Sequence, residues 1–76
     1  MQKLIETIVK ALVDHPDKVR VTAEDRDHQI AYQLSVHEND IGKVIGKQGR
    51  VAKAIRTVVY AAGTQSPKRI LLEIND

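Results

Sequence analysis

The sequence predicts an α+β fold in which a three-stranded mixed sheet carries three helices on one face. The spacing of apolar residues changes from about 3.6 to about 2, and then repeats both values, along 76 residues. This gives the element order α-β-β-α-α-β. Two helices separate the last two strands, and such a crossover makes those strands parallel and the connection right-handed.

The first helix is predicted by an apolar stripe near the amino terminus. Pro16 disfavours helical geometry at His15 and ends this helix. Two runs with a period of two follow and predict an antiparallel hairpin, with the polar residues 24–28 as its turn. Tyr32 alternates with buried positions and belongs to the core. The apolar residues are Leu4, Ile5, Ile8, Val9 and Leu12 in the helix, Val19, Val21 and Ala23 in the first strand, and Ile30, Tyr32, Leu34 and Val36 in the second.

Two helices and a last strand complete the chain. Asn39 or its neighbour can cap a short helix through about Ile45, with Asp40 favourably placed in its first turn. A longer helix begins near Gly49 and ends at a Gly63 cap, and a strand covers residues 68–74. On the longer helix the apolar face comprises Val51, Ala54, Ile55, Val58, Val59 and Ala62, and the opposite face comprises Arg50, Lys53, Arg56 and Tyr60.

Charge is distributed unevenly along the chain. Residues 1–40 carry five basic and eight acidic side chains, whereas residues 41–72 carry seven basic side chains and no acidic one. The net charge of +2 conceals this asymmetry. A basic segment in so short a chain indicates a polyanionic partner for one surface.

The most informative segment is the basic loop Gly46-Lys47-Gln48-Gly49 between the two middle helices. Glycine permits a positive φ and a close approach to another backbone. The amino-terminal N–H groups of the following helix and its dipole favour an anion at this place. Lys47 and Arg50 add full positive charges, so phosphate is the expected ligand.

The element order, together with Ile45-Gly46-Lys47-Gln48-Gly49-Arg50 between the middle helices, resembles a type II KH domain. The length is similar to that of the small bacterial single-KH-domain RNA-binding proteins of the KhpA type. The resemblance covers residues 1–76 as a single KH domain. It implies a non-catalytic, cytoplasmic binder of single-stranded RNA that acts as an RNA chaperone or post-transcriptional regulator. It also implies a homodimer, or pairing with a larger KH-containing protein of the KhpB (Jag) type.

The resemblance assigns residues 46–49 to the RNA clamp and Ile41, Val44 and Ile45 to an apolar helix face beneath unstacked bases. At least one of these three apolar residues is expected to point into the core, because a short helix must bury something. Charge and position add three flanking cations, and the last strand is a weaker candidate for the far wall through Arg69 and Leu71. The predicted RNA-binding residues are Ile41, Lys43, Val44, Ile45, Gly46, Lys47, Gln48, Gly49, Arg50 and Lys53.

Several functional classes are excluded by residues that the chain lacks. No cysteine is present, which excludes thiol chemistry and thiolate zinc sites and fits a reducing cytoplasm. No paired carboxylates lie near the basic loop and no histidine stands beside a candidate serine, so we expect no enzyme, catalytic residue or cofactor. His15, His28 and His37 lack metal-ligand spacing and are expected at the surface, with no metal bound. No apolar run approaches the roughly 20 residues that span a membrane.

Two other functions stay open at this point. Two helices joined by a short glycine-containing turn are also typical of helix-turn-helix proteins that bind duplex DNA. Alternatively, the basic surface binds an acidic protein, and the chain is an assembly adaptor. We expect a dimer, because a small core without disulfides gains from further apolar burial and Tyr60 is available on an outer helix face.

Overall fold

The computed structural model describes residues 1–74 and confirms the predicted α+β fold. Short 3₁₀ turns at residues 16–18, 38–40 and 47–49 connect the main elements. The helices are α1 (Gln2–Lys10), α2 (Ile41–Ile45) and α3 (Arg50–Ala62), and the strands are β1 (Arg20–Arg26), β2 (Gln29–Ser35) and β3 (Arg69–Ile74). β3 begins one residue later than predicted.

The strands form one mixed sheet with the spatial order β1-β2-β3. β1 and β2 are antiparallel with Ala23 opposite Tyr32, and β2 and β3 are parallel with Tyr32 beside Leu72. The hairpin turn is shorter than predicted, because β1 continues through Arg26 and only two residues separate the strands. The polar residues 24–26 can form part of β1 because β1 is an edge strand and their side chains are exposed or half-buried.

The core lies between the helices and one face of the sheet. Ile5 and Val9 of α1, Ile55 and Val59 of α3, and Val44 of α2 pack against the strands. Side chains alternate along β2 and β3, so Leu34 and Leu72 are buried in this core. The core-facing positions of the strands are Val21, Ile30, Tyr32, Leu34, Ile70, Leu72 and Ile74.

The apolar faces of two helices differ from the prediction. On α3, Ala52 is buried, whereas Ala54, Val58 and Ala62 are exposed. Helix α1 ends at Lys10 rather than near Pro16, and Leu12 lies beyond it with 42% of its surface exposed. The helix closes with a tighter turn, in which the Leu12 N–H donates to the Val9 carbonyl at 2.9 Å. Beyond it, the N–H groups of Asp14 and His15 donate to the Asp40 carboxylate.

Candidate nucleic-acid interface

The glycine loop, residues 46–49, makes a single tight turn between α2 and α3. The last helical hydrogen bond of α2 joins the Gly46 N–H to the Gly42 carbonyl at 2.8 Å. Three of the four loop residues have a positive φ: 76° at Gly46, 58° at Gln48 and 74° at Gly49. Helix α3 starts immediately afterwards at Arg50. These positive φ values turn the chain so that Lys47 and Gln48 stand at an exposed tip.

The two glycines of the loop are required for different reasons. A Cβ at Gly46 would lie 2.4 Å from Val51 Cγ2 and 2.9 Å from the Val51 backbone nitrogen. A Cβ at Gly49 would meet no atom of residues 1–74 within 4 Å, so within this part of the chain the φ of 74° is what favours glycine. Gly46 is therefore fixed by packing inside the protein. Gly49 leaves open space on the outside, where another backbone can approach.

The predicted cations surround the loop but differ in their availability. Lys43 is already paired with the Asp14 carboxylate. The hydrogen bond to Asp14 raises the pKa of the Lys43 ammonium above its usual value. Arg50 makes a long bond of 3.4 Å to the Gln48 side chain, and Lys53 is exposed on α3. The positive charge thus stands mainly at the loop tip and along the start of α3.

The three predicted apolar residues of α2 do not share one environment. Val44 is completely buried, as expected for at least one of them, so its side chain cannot contact a ligand at the surface. Ile41 and Ile45 are half-buried and expose part of their side chains beside the loop. Only these two isoleucines present an apolar surface on α2.

The side of α3 that faces β3 carries polar groups that the prediction did not include. Arg56 Nε donates to the Leu72 carbonyl at 3.3 Å, and the Leu72 N–H donates to the Tyr60 hydroxyl at 3.4 Å. Tyr60 therefore contacts the edge strand through its hydroxyl, while 37% of its surface stays exposed. Its spacing of four residues from Arg56 was the available signal, because residues four apart share a helix face.

Beyond Tyr60 this side of α3 opens into a cleft of about 600 Å³ between the end of α3 and the start of β3. Arg69 and Leu71, the weaker candidates of the last strand, both line it. Lys68 also lines the cleft and pairs with Asp25. The cleft and the glycine loop thus lie at opposite ends of α3.

A second feature missed from sequence is the junction in front of α2. Asp40 was expected to be favourably placed in the first turn of the helix, but its side chain is fully buried and caps no helix. Burial alone would raise the pKa of the Asp40 carboxyl. Hydrogen bonds from the Asp14 N–H at 3.2 Å and from His15 at 2.9 and 3.0 Å outweigh burial and lower the pKa.

The histidines beside this carboxylate are ordered rather than freely solvated. The His15 ring stacks on the His37 ring with a centroid distance of 4.1 Å. His37 Nδ1 accepts a hydrogen bond from the Asn39 N–H at 3.0 Å and so caps the turn before α2. No signal in the sequence joins these residues, because they lie on two segments more than 20 residues apart.

Among residues 1–74, no group of three or more histidine, aspartate or glutamate side chains has the arrangement of a metal site. Within the same residues, no helix is long and apolar enough to cross a membrane.

A comparison with family models decides the relationship of this chain to known proteins. A family model described as "KhpA/KhpB, KH domain" matches residues 2–74. The chain belongs to this family. KhpA/KhpB KH domains are non-catalytic, which confirms the prediction that the chain is not an enzyme.

Curated relatives within the KhpA/KhpB family are similar over nearly their full lengths. A Bacillus subtilis protein is 60% identical over 76 residues, which cover all of this chain and 94% of the relative. A Listeria monocytogenes protein is 58% identical over 74 residues, covering 97% of both. A Clostridium acetobutylicum protein is 53% identical over 74 residues, covering 97% of this chain and 99% of the relative. Each is named RNA-binding protein KhpA.

Solved structures support the type II KH fold of this KhpA/KhpB family member. Era, crystallised in complex with MgGDPNP and nucleotides 1506–1542 of 16S ribosomal RNA, superposes with a TM-score of 0.70. The superposition covers 96% of this chain but only 28% of the Era chain, at 19% identity. This likeness shows the fold alone.

Proposed function

We propose that the protein binds single-stranded RNA through the glycine loop. The observation that carries this proposal is the exposed Lys47-Gln48 tip between two glycines of positive φ, at the start of a 13-residue helix. It is supported by the absence of any acidic residue from position 41 to 72 and by relatives named RNA-binding proteins.

The loop would bind the RNA backbone mainly through phosphate. The first N–H groups of α3 have no partner inside the helix, and the helix dipole adds positive potential at this end. Lys47 and Arg50 contribute full charges, and Gly49 leaves the space that a close backbone approach needs. Unstacked bases would then lie over the exposed parts of Ile41 and Ile45, with Val44 supporting α2 from within the core.

From the glycine loop, the RNA strand would follow α3 toward the cleft. Lys53, Arg56 and Tyr60 lie three to four residues apart and so share one side of the helix. At 1.5 Å per residue, α3 is roughly 20 Å long, which suits the approximately four nucleotides that a KH domain binds. The path would end beside Arg69 and Leu71.

The proposal is tested by measuring the affinity for single-stranded RNA, duplex RNA and duplex DNA at two salt concentrations. We expect a preference for single-stranded RNA and a log-log salt slope of about −0.7 for each phosphate neutralised. Tighter binding to duplex DNA would instead favour the helix-turn-helix function. Absence of nucleic-acid binding, with an acidic protein retained after nuclease treatment, would favour the adaptor function.

The loop itself is tested by replacing Lys47 and Gln48 together with aspartate. Both side chains are exposed, so stability should change by less than about 0.5 kcal/mol. Two carboxylates at the phosphate position should abolish RNA binding by repulsion. The matched control is Lys3→Asp with Thr7→Asp, which makes the same charge change on the exposed face of α1. Retained RNA affinity in the loop variant, with an unchanged melting curve, would refute the proposed site.

We also propose that the protein forms a homodimer through an apolar groove between α1 and α3. Leu12 and Val58 are 42% and 51% exposed and lie in this groove, which has a volume of about 350 Å³. The remaining lining is apolar except for Arg50. A second copy would therefore cover a mainly apolar surface, with Arg50 as the one charged residue among the described residues that line it. A larger KhpB (Jag)-type partner is the other occupant that the family implies.

Residues 1–76 would accordingly act as a single KH domain in the cytoplasm, as an RNA chaperone or post-transcriptional regulator. A binding site of about four nucleotides is too short to select one transcript among many. Two copies joined in one dimer would bind two segments of the same RNA, and the second binding event would gain from the high effective concentration.

A further inference from the structure

Gly42 occupies the outermost position of α2. Successive residues of a helix are rotated by about 100°, so the position opposite the fully buried Val44 falls close to residue 42. Gly42 is accordingly exposed, with the half-buried Ile45 on one side and the exposed Lys43 on the other. Its carbonyl accepts the N–H of Gly46, the first residue of the glycine loop, at 2.8 Å.

Among residues 1–74, no packing contact requires a glycine at this position. The chain contains four glycines. Gly46 and Gly49 have positive φ, and a Cβ at Gly63 would lie 2.7 Å from Ile70 Cγ1. Gly42 has a helical backbone, and a Cβ there would meet no atom of the described chain within 4 Å. Glycine is nonetheless among the least favourable residues for a helix, because its backbone loses the most freedom on folding.

The residues around Gly42 indicate which kind of ligand would fit against its exposed backbone. The position lies directly before the glycine loop, between an apolar side chain and a lysine. A nucleotide presents a flat, partly apolar base and ribose next to a phosphate. Without a Cβ, the backbone of α2 offers such a unit a shallow surface that any side chain at residue 42 would obstruct.

We propose that Gly42 is an RNA-contact residue at which the backbone of α2 lies directly against a nucleotide, so that a side chain is excluded at the expense of helix stability. This inference rests on the proposed function of the glycine loop and extends it by one position. It has a specific signature, because a side chain at residue 42 should make the free protein more stable and the RNA complex weaker.

The test compares Gly42→Ala and Gly42→Leu with the unchanged protein. Thermal unfolding of the free protein should shift upward for Gly42→Ala, by up to about 4–8 °C. Affinity for a labelled single-stranded RNA of about ten nucleotides should fall roughly tenfold for alanine and further for leucine, as expected for overpacking an interface. Thr7→Ala on the exposed face of α1 is the matched control, since it raises helix propensity away from the loop.

Each outcome separates this inference from the proposal on which it rests. A higher melting temperature with an affinity that falls in order of side-chain size supports the contact. Unchanged affinity in both Gly42 variants overturns it, and the proposed function still stands if the Lys47→Asp, Gln48→Asp variant has lost binding. A lower melting temperature for Gly42→Ala also overturns it, because the glycine would then serve the fold. If the loop variant binds normally too, the proposed function itself fails.

Discussion

At the scale of single residues, the glycine loop combines one position fixed by the core with another left open to the outside. Gly46 has no room for a Cβ because Val51, in the first turn of α3, fills that space. Gly49 shares its positive φ but faces open space. The two glycines look equivalent in the sequence, and only the packing of Val51 distinguishes them.

Alanine substitutions should therefore have unequal effects on stability. Gly49→Ala should cost about 1–2 kcal/mol, the usual penalty for a non-glycine residue in the left-handed region. Gly46→Ala should cost more, at least about 3 kcal/mol, because its backbone at φ 76° and ψ 175° is essentially restricted to glycine and the new Cβ would also overpack against Val51. Urea unfolding of both variants measures the difference.

The control for this comparison is a second substitution at Val51. In the Gly46→Ala background, Val51→Ala removes the Cγ2 atom that the new Cβ would meet at 2.4 Å, but not the backbone nitrogen at 2.9 Å. Part of the lost stability should return. Equal costs for the two single variants would show that Val51 adjusts freely.

At the scale of elements, the start of α2 is held by a buried carboxylate from outside the helix. Asp40 accepts hydrogen bonds from Asp14 and His15, which joins the segment after α1 to the segment before α2. The Lys43–Asp14 ion pair connects the same two segments at the surface. Helix α2 has only five residues, and these contacts compensate for its low intrinsic stability.

The Asp40 carboxylate should make stability dependent on acid pH. Its pKa is lowered in the folded protein, so the folded state binds the proton more weakly than the unfolded chain does, and protonation favours unfolding. The contribution is complete above the ordinary aspartate pKa of about 4 and is lost as the pH falls through the lower folded value. Denaturant unfolding from pH 7 down to pH 2 should show this loss.

Asp40→Asn should reduce stability at pH 7, because the amide binds the Asp14 and His15 donors less strongly than a carboxylate does. Its stability should also vary less with acid pH than that of the unchanged protein. Parallel pH curves for the two proteins would show that Asp40 has no pKa shift. Asp17→Asn, at an exposed position, is the control for a general loss of negative charge.

The sequence predicts the elements well and several of their contacts poorly. The changes of hydrophobic period suffice for the order of elements, because burial on one face imposes that period. Val58 and Ala54 satisfy the same helical period but are exposed, since the apolar stripe of α3 is wider than the core that it covers. The glycine loop is visible in sequence because it is local. The Asp40–His15 contact and the Tyr60–Leu72 contact are not, because each joins distant segments.

At the scale of the whole molecule, positive charge and exposed apolar surface lie near one another on α3. Arg50 belongs to both regions, since it follows the glycine loop and lines the groove between α1 and α3. RNA binding and dimer formation would thus use neighbouring sides of the same helix. A substitution in the groove can separate the two functions if it is placed away from Arg50.

Val58→Asp should disrupt the proposed dimer. Val58 is 51% exposed and eight residues beyond Arg50, so the fold should tolerate the change, while a carboxylate in an apolar interface carries a high desolvation cost. Sedimentation at micromolar concentration should show a dimer for the unchanged protein and an 8.5 kDa monomer for the variant. Thr57→Asp, the neighbouring exposed residue on α3, is the control.

A monomer for the unchanged protein under the same conditions would contradict the homodimer. Binding of a larger KH-containing partner by the unchanged monomer, lost in Val58→Asp, would assign the groove to that partner instead. The Val58→Asp monomer should still bind RNA through its own glycine loop. The difference between its RNA affinity and that of the dimer would measure how much the second copy contributes.

The contacts of Arg56 and Tyr60 with Leu72 also affect how readily a strand of another chain could be added to the sheet. β3 is an edge strand, and an edge with free N–H and carbonyl groups can recruit a strand from another chain. Helix α3 already occupies both groups of Leu72, in the middle of this six-residue strand. An incoming strand would have to displace two side chains before it could pair there. The middle of β3 is therefore an unfavourable place for a strand of another chain to extend the sheet.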